Sequence, residues 1–195
     1  MDFKNKVVIV TGASSGIGAA SAVLFAKHGA KLTLIGRHEQ RLEAVAKKCQ
    51  EANGITPLCL RLDLTAAGSC AAVITRTIAT YDRIDVLVNC AAKMLIGSLF
   101  DDNIDTFDEM IDINLQLATE GVRVNAVQPG LTRTNILANL AMGEDEMEHT
   151  YEHLSNKMKI LDPEEVAKMV VFVASEVCPN LNGSDIGLTG ASWMI

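Results

Sequence analysis

The stretch TGASSGIG, Thr11 to Gly18, carries the residue types and spacing most directly suited to chemistry. It closes the apolar, β-branched run KVVIVTG and opens the helical run AASAVLFAKHGA. A glycine-rich turn between a strand and a helix is a ready anion cradle. Gly12 permits a tight turn, Gly16 lets the backbone approach a pyrophosphate, and Gly18 lets the helix lie close on the strand. The helix N-terminus supplies unpaired N–H groups and a positive dipole end. Ser14 and Ser15 add hydroxyl donors, and Ile17 completes the loop. No Gly-Lys-Ser/Thr follows, which excludes a Walker A loop.

The end of the second strand decides the ribose chemistry. A carboxylate there would grip a 2′-hydroxyl, but the chain has Gly36-Arg37-His38. A guanidinium suits a 2′-phosphate through paired, charge-assisted hydrogen bonds, so NADP(H) is favoured over NAD(H). The same arginine argues against a Rossmann-like methyltransferase, a remote alternative that also wants a carboxylate at this position.

Further motifs follow in order: DL at 63–64, NCAA at 89–92, Asn114, and NAVQPG at 125–130. Together with Thr11-Gly12-x-x-x-Gly16-x-Gly18 they resemble the classical short-chain dehydrogenase/reductase family along nearly the whole chain. The resemblance implies hydride transfer between a nicotinamide cofactor and a small carbonyl or secondary alcohol. It implies that Asp63 and Leu64 flank the adenine, and that Asn89, Ala91 and Ala92 line the cofactor. Pro129, Gly130, Leu131, Thr132 and Thr134 would form the turn beside the nicotinamide. Asn114 would hold a water in the proton relay, the one catalytic residue of the family's set that can be matched. NCAA departs mildly from the family's usual Asn-Asn-Ala-Gly.

The rest of that relay has no counterpart. The family places a tyrosine four residues before a lysine, one helical turn apart on one face, with a serine on the preceding strand. Only two tyrosines occur here: Tyr81 is followed at that spacing by Asp85, and Tyr151 by Ser155. Nine residues separate Asn114 from VNAVQPG, and none is serine, tyrosine or lysine. The pattern reads as an internal deletion of about one strand-plus-helix period, with its seam near Gln116-Leu117. Ile104, Phe107, Ile111, Leu115 and Ala118 keep helical spacing through the seam. A hybrid helix joining two parallel strands is still a permitted right-handed crossover, so the shortened sheet is expected to close without the lost strand. The chain is therefore expected to bind cofactor with little or no turnover. The alternatives are a non-catalytic NADP(H)-binding splice product or pseudoenzyme, and an active parent from which a stretch has been omitted.

These motifs need elements to hold them. Strand-like runs at KVVIVTG, KLTLIGR, TPLCLRLDLT and IDVLVNCAA alternate with helical runs, as in a Rossmann-like, doubly wound parallel sheet. VRVNAVQPG and GSDIGLTG complete the strands. DPEEVAKMVVFVASE carries a full helix-start signature: Asp162 as N-cap, Pro163 at N1 and Glu165 at N3. No linker or repeat divides residues 1–195, which read as one nucleotide-binding domain.

Composition narrows the partners. A formal net charge of −7 without a basic cluster argues against nucleic acid and anionic membranes. No apolar run approaches the roughly 20 residues of a membrane span, and VVIVTG is too short for a signal h-region. Five scattered cysteines without a CxxC read as reduced thiols of a cytoplasmic protein. His149 and His153 have a metal-compatible i, i+4 spacing amid Glu144, Glu146, Glu148 and Glu152. Such a helix reads as a solvated charged face, and no metal is assigned. Self-association is expected to be compromised, because the helices that family members use for it are partly deleted.

Overall fold

The computed structural model describes residues 1–91, 122–134, 144–155 and 159–189. Asn114, Ala92 and the seam at 116–117 lie outside the described residues. The elements run β1 (Val7–Thr11), α1 (Gly16–Lys27), β2 (Lys31–Gly36), α2 (Glu39–Asn53), β3 (Leu58–Arg61), α3 (Ser69–Tyr81) and β4 (Val86–Asn89). After the undescribed stretch come β5 (Ala126–Pro129), α4 (Glu144–Ser155), α5 (Pro163–Ala174) and β6 (Asp185–Leu188).

A helix between two strands makes the crossover that parallel pairing needs, and every described strand pair is parallel. The first sheet has the order β3-β2-β1-β4, with Ile9 opposite Thr33 on one side and Leu87 on the other. Side chains alternate between two apolar layers because the strand period is two residues. Val8, Val10, Leu32 and Leu34 pack with Ala22 and Phe25 of α1 and Val171 of α5. Ile9, Ile35 and Leu60 point the other way, onto Val73 of α3. All of β1 is buried, as its unbroken apolar run requires when both faces are covered.

Helix ends obey local chemistry. Gly54, at φ +76°, takes the left-handed position that ends α2. At the start of α5, the Glu165 carboxylate accepts from Asp162 N–H at 3.0 Å, while Glu165 N–H donates to the Asp162 backbone carbonyl at 3.0 Å. No helix among the described residues is long and apolar enough to cross a membrane.

One expectation is corrected. The sheet does not close: among the described residues β5 pairs only with β6, and β4 and β5 lie in separate sheets. The position of β5–β6 is set by helix packing instead of a ladder to β4. Val171 ties α5 to the main core, and Arg123 ties the segment before β5 to the end of α5. Its guanidinium donates to the carbonyls of Val173 (3.0 Å), Ala174 (3.3 Å), Ser175 (3.0 Å) and Leu181 (3.1 Å). The first three are carbonyls that the end of α5 leaves without intrahelical partners; the fourth belongs to the loop before β6.

Candidate functional site

The glycine turn rises from the C-terminal end of β1. Gly12 has φ +66°, and a Cβ there would stand 2.7 Å from the carbonyl oxygen of Cys90 and 2.8 Å from Ala91 N. Only a residue without a side chain lets β1 pass that close to the segment leaving β4. Gly18 is equally constrained: a Cβ would meet the Gly12 carbonyl oxygen at 2.5 Å. Ser15 is the N-cap of α1 and makes no side-chain capping bond, so its hydroxyl remains available. Gly16 and Ile17 open the helix, where the first N–H groups have no carbonyl ahead of them.

Thr11 had no assigned role in the sequence beyond its place in the motif. Its Oγ1 accepts from Cys90 N–H at 3.1 Å and Ala91 N–H at 3.0 Å. This stitch joins the β4 exit, with Asn89 and Ala91, to the glycine turn. Asn89 stands opposite Thr11 in the ladder and is exposed. The Cys90 thiol is pushed up to about 11 by burial, and Cys49 to about 12, so neither offers a thiolate near neutral pH.

The turn after β5 reaches the same corner. Thr134 lies against Gly16, its Cγ2 3.0 Å from where a Cβ would stand. Gly130 N–H donates to the Leu188 carbonyl at 2.9 Å, and Thr132 Oγ1 to the Gly130 carbonyl at 2.9 Å. Leu131 and Arg133 exchange backbone bonds with Leu161 at 2.8 and 2.9 Å. The structure thus brings the Pro129–Thr134 turn beside the glycine turn, although they are more than a hundred residues apart in sequence.

At the end of β2 a second cluster forms. Arg37, His38, Glu39, Gln40, Arg41 and Arg61 line an open cavity of about 440 Å³. Arg61 reaches it because β3 pairs with β2 in a register that sets Arg61 opposite Gly36. Ser14 lies within 3.0 Å of a Cβ placed at Gly36, so the cavity adjoins the glycine turn. Asp63 lies just beyond. Bonds from Thr65 N–H (3.0 Å) and the Thr65 hydroxyl (2.8 Å), with the field of Arg37 behind them, hold its carboxyl below the usual range. Leu64 packs on the Ile9–Ile35–Leu60 layer. Arg41 and Arg61 were not singled out in the sequence; the helical phase of α2 and the β2–β3 register bring them in.

Both tyrosine hydroxyls are engaged by backbone groups. The Tyr81 hydroxyl accepts from Leu58 N–H at 3.1 Å and donates to the Leu32 carbonyl at 3.0 Å, and burial pushes its pKa up. Tyr151 is buried. Its hydroxyl accepts from Thr134 N–H at 3.3 Å, with the Thr134 carbonyl at 3.0 Å within donating reach. Arg133 lies 5.2 Å over the Tyr151 ring and pairs with Glu148 at 2.6 Å. Both tyrosines act as ties between elements. A second cavity of about 450 Å³ runs from Gly16 and Thr134 along Ala20 and Val23 on the outer flank of α1. It lies on the opposite side of α1 from β1 and is separate from the β1–β4 exit. Among the described residues no three His, Cys, Asp or Glu side chains stand close enough to hold a metal ion.

Comparison with known proteins agrees with this architecture. Residues 6–117 match the short chain dehydrogenase family, and residues 115–190 match the enoyl-(acyl carrier protein) reductase family. An uncharacterized oxidoreductase of Staphylococcus saprophyticus is 34% identical over 131 residues, 67% of this chain and 55% of that one. The chain spans about half the length of the curated relatives it matches. Among solved structures, L-sorbose reductase from Gluconobacter frateurii, complexed with NADPH and L-sorbose, superposes with TM-score 0.82 at 22% identity. That superposition covers 97% of each chain. A cofactor-bound short-chain dehydrogenase/reductase of unknown function from Caenorhabditis elegans gives TM-score 0.83 at 23% identity, over 99% of this chain and 97% of that one. At such identities the likeness is one of fold.

Proposed function

The chain belongs to the short chain dehydrogenase family, and on that premise we propose that it binds NADP(H) in preference to NAD(H) and has little or no oxidoreductase turnover. The observation that carries the first half is the cavity lined by Arg37, Arg41 and Arg61 beside the glycine turn. Three guanidinium groups suit a 2′-phosphate dianion. A pyrophosphate would lie between this cavity and the first turn of α1, where Gly12 and Gly18 let the backbone of the turn pack closely on β1 and the β4 exit. Gly16, Ile17, Ser14 and Ser15 would hold the pyrophosphate, Asp63 and Leu64 the adenine, and Asn89, Ala91 and Ala92 the ribose side. Pro129, Gly130, Leu131, Thr132 and Thr134 would flank the nicotinamide. When bound, that ring would supply or accept the hydride for a carbonyl or secondary alcohol.

The second half rests on what the chain's own residues can do with a proton. A carbonyl receiving hydride needs an acid beside its oxygen. The chain has two tyrosines, and both hydroxyls are committed to backbone groups. Asn114 can position a water but cannot replace a tyrosine held near neutral pKa by a lysine. The two family matches change over at residues 115–117, beside the seam read at Gln116-Leu117, which supports an internal deletion. We place the protein in the cytoplasm, with a nicotinamide cofactor as its partner and weakened self-association.

NADPH should raise the melting temperature, and Gly16→Asp or Arg37→Asp should remove that shift. A missing shift in the wild type would overturn the binding reading. NADPH oxidation should stay at background across a panel of ketones and quinones. Robust turnover would overturn the second half. An intact mass of the native protein above 20.9 kDa would show that an active parent carries the missing stretch.

A further inference from the structure

The cationic cavity at the end of β2 contains one discordant group. Glu39 lines it with Arg37, Arg41 and Arg61, and its Oε2 lies 3.1 Å from Arg61 Nη1. The carboxylate therefore borders the space assigned above to a 2′-phosphate, and it engages one of the three guanidinium groups. We infer that Glu39, through its ion pair with Arg61, is a specificity-determining residue that weakens this pocket's hold on a 2′-phosphate relative to a 2′-hydroxyl. This rests on the NADP(H) reading above.

The physical case has three parts. First, the pair is exposed on both sides, 66% for Arg61 and 59% for Glu39, so it is worth little and exchanges readily. An incoming phosphate, with a charge of about −1.5 to −2, can take Arg61 from Glu39. Second, a phosphate that takes Arg61 breaks the ion pair, so it gains that guanidinium only at the expense of the Glu39 contact. Third, the Arg61 backbone is fixed by the β3–β2 ladder opposite Gly36. Arg61 can therefore swing its side chain between the two anions without moving the strand. A 2′-hydroxyl brings no charge and leaves the pair intact. Glu39 thus opposes one nucleotide and leaves the other untouched.

The test uses two small probes that differ only in the group at issue, adenosine 2′,5′-bisphosphate and 5′-AMP, titrated calorimetrically into the full chain. Wild type should bind the bisphosphate more tightly. Glu39→Gln should widen that preference, read as the ratio of the two dissociation constants, by about three- to fivefold. In an Arg61→Gln background, adding Glu39→Gln should change the preference by less than about twofold, because the pair is already gone. Equal binding of the two probes by wild type would overturn the NADP(H) reading and this inference with it. A wild type that discriminates, with Glu39→Gln leaving the ratio unaltered, would overturn this inference alone. So would an equal gain with and without Arg61, since Glu39 would then act as a bare charge rather than through its partner.

Discussion

β1 and β4 are neighbours in one sheet and nearly alike in sequence, VVIVT and VLVN. Every residue of β1 is buried, whereas Leu87, in register with fully buried Ile9 and on the same face, is 54% exposed. The difference lies in what stands beside each strand. β1 is hydrogen-bonded on both edges and covered by helices on both faces. Among the described residues β4 is paired only with β1. An apolar β-branched run is enough to make a strand, but its energetic worth depends on neighbours that a local pattern does not contain. The same division runs through the whole molecule. The half built on β1–β3 is held by apolar packing, while the half built on β5–β6 adds polar ties at Arg123 and Tyr151 to the packing of α5.

The largest test of this contrast uses the Ile9–Leu87 pair itself. Ile9→Ala should lower unfolding free energy by about 2–5 kcal/mol, measured by urea denaturation. Leu87→Ala should cost no more than about 0.5 kcal/mol. Equal losses would break the comparison by showing that β4 is covered as β1 is.

Arg123→Ala should rank next, at about 1.5–3 kcal/mol, because it strips a charged donor from four backbone carbonyls. Hydrogen exchange should quicken in β5 and β6 and leave β1–β3 unaffected; acceleration throughout would mean the halves are not separable. Tyr151→Phe keeps the buried ring and removes only the hydroxyl that meets Thr134. It should cost about 1 kcal/mol by the same assay, with NADPH binding weakened if the Pro129–Thr134 turn loosens.

The smallest expected effect depends on pH. Burial works against the charged form of Asp85, but the Arg83 guanidinium (Nε at 2.9 Å), Val7 N–H (2.8 Å) and Lys6 outweigh it and hold the carboxyl below its usual value of 3.8. A carboxyl depressed on folding contributes stability above its unfolded pKa and loses it as pH falls through the folded value. Asp85→Asn should therefore lower the melting temperature near neutral pH. The two curves should converge as pH drops below 3.8. Parallel curves would show that the Asp85 charge does not stabilise the start of β1.

What the sequence disclosed was local. The β1–α1 turn, the Asp162-Pro163-Glu165 start of α5 and the Gly54 stop of α2 each depend on residues within a few positions, and all three stand where the pattern puts them. What stayed hidden was set by register and packing at long range. Arg61 joins Arg37 only because β3 aligns with β2 as it does, and Thr11 gains its role from Cys90 and Ala91, some 80 positions on. The same limit explains the misread sheet. Periodicity through Leu115 and Ala118 gave the phase of a helix, but β4–β5 pairing depends on where α5 seats β5 against α1.

The Thr11 stitch also sorts the donors around the glycine turn. Because its oxygen takes both the Cys90 and Ala91 N–H groups, those two donors are withdrawn from anything that approaches the β4 exit. The helix start across from it presents donors. An electron-rich phosphate would therefore be drawn to the helix start and away from the β4 exit.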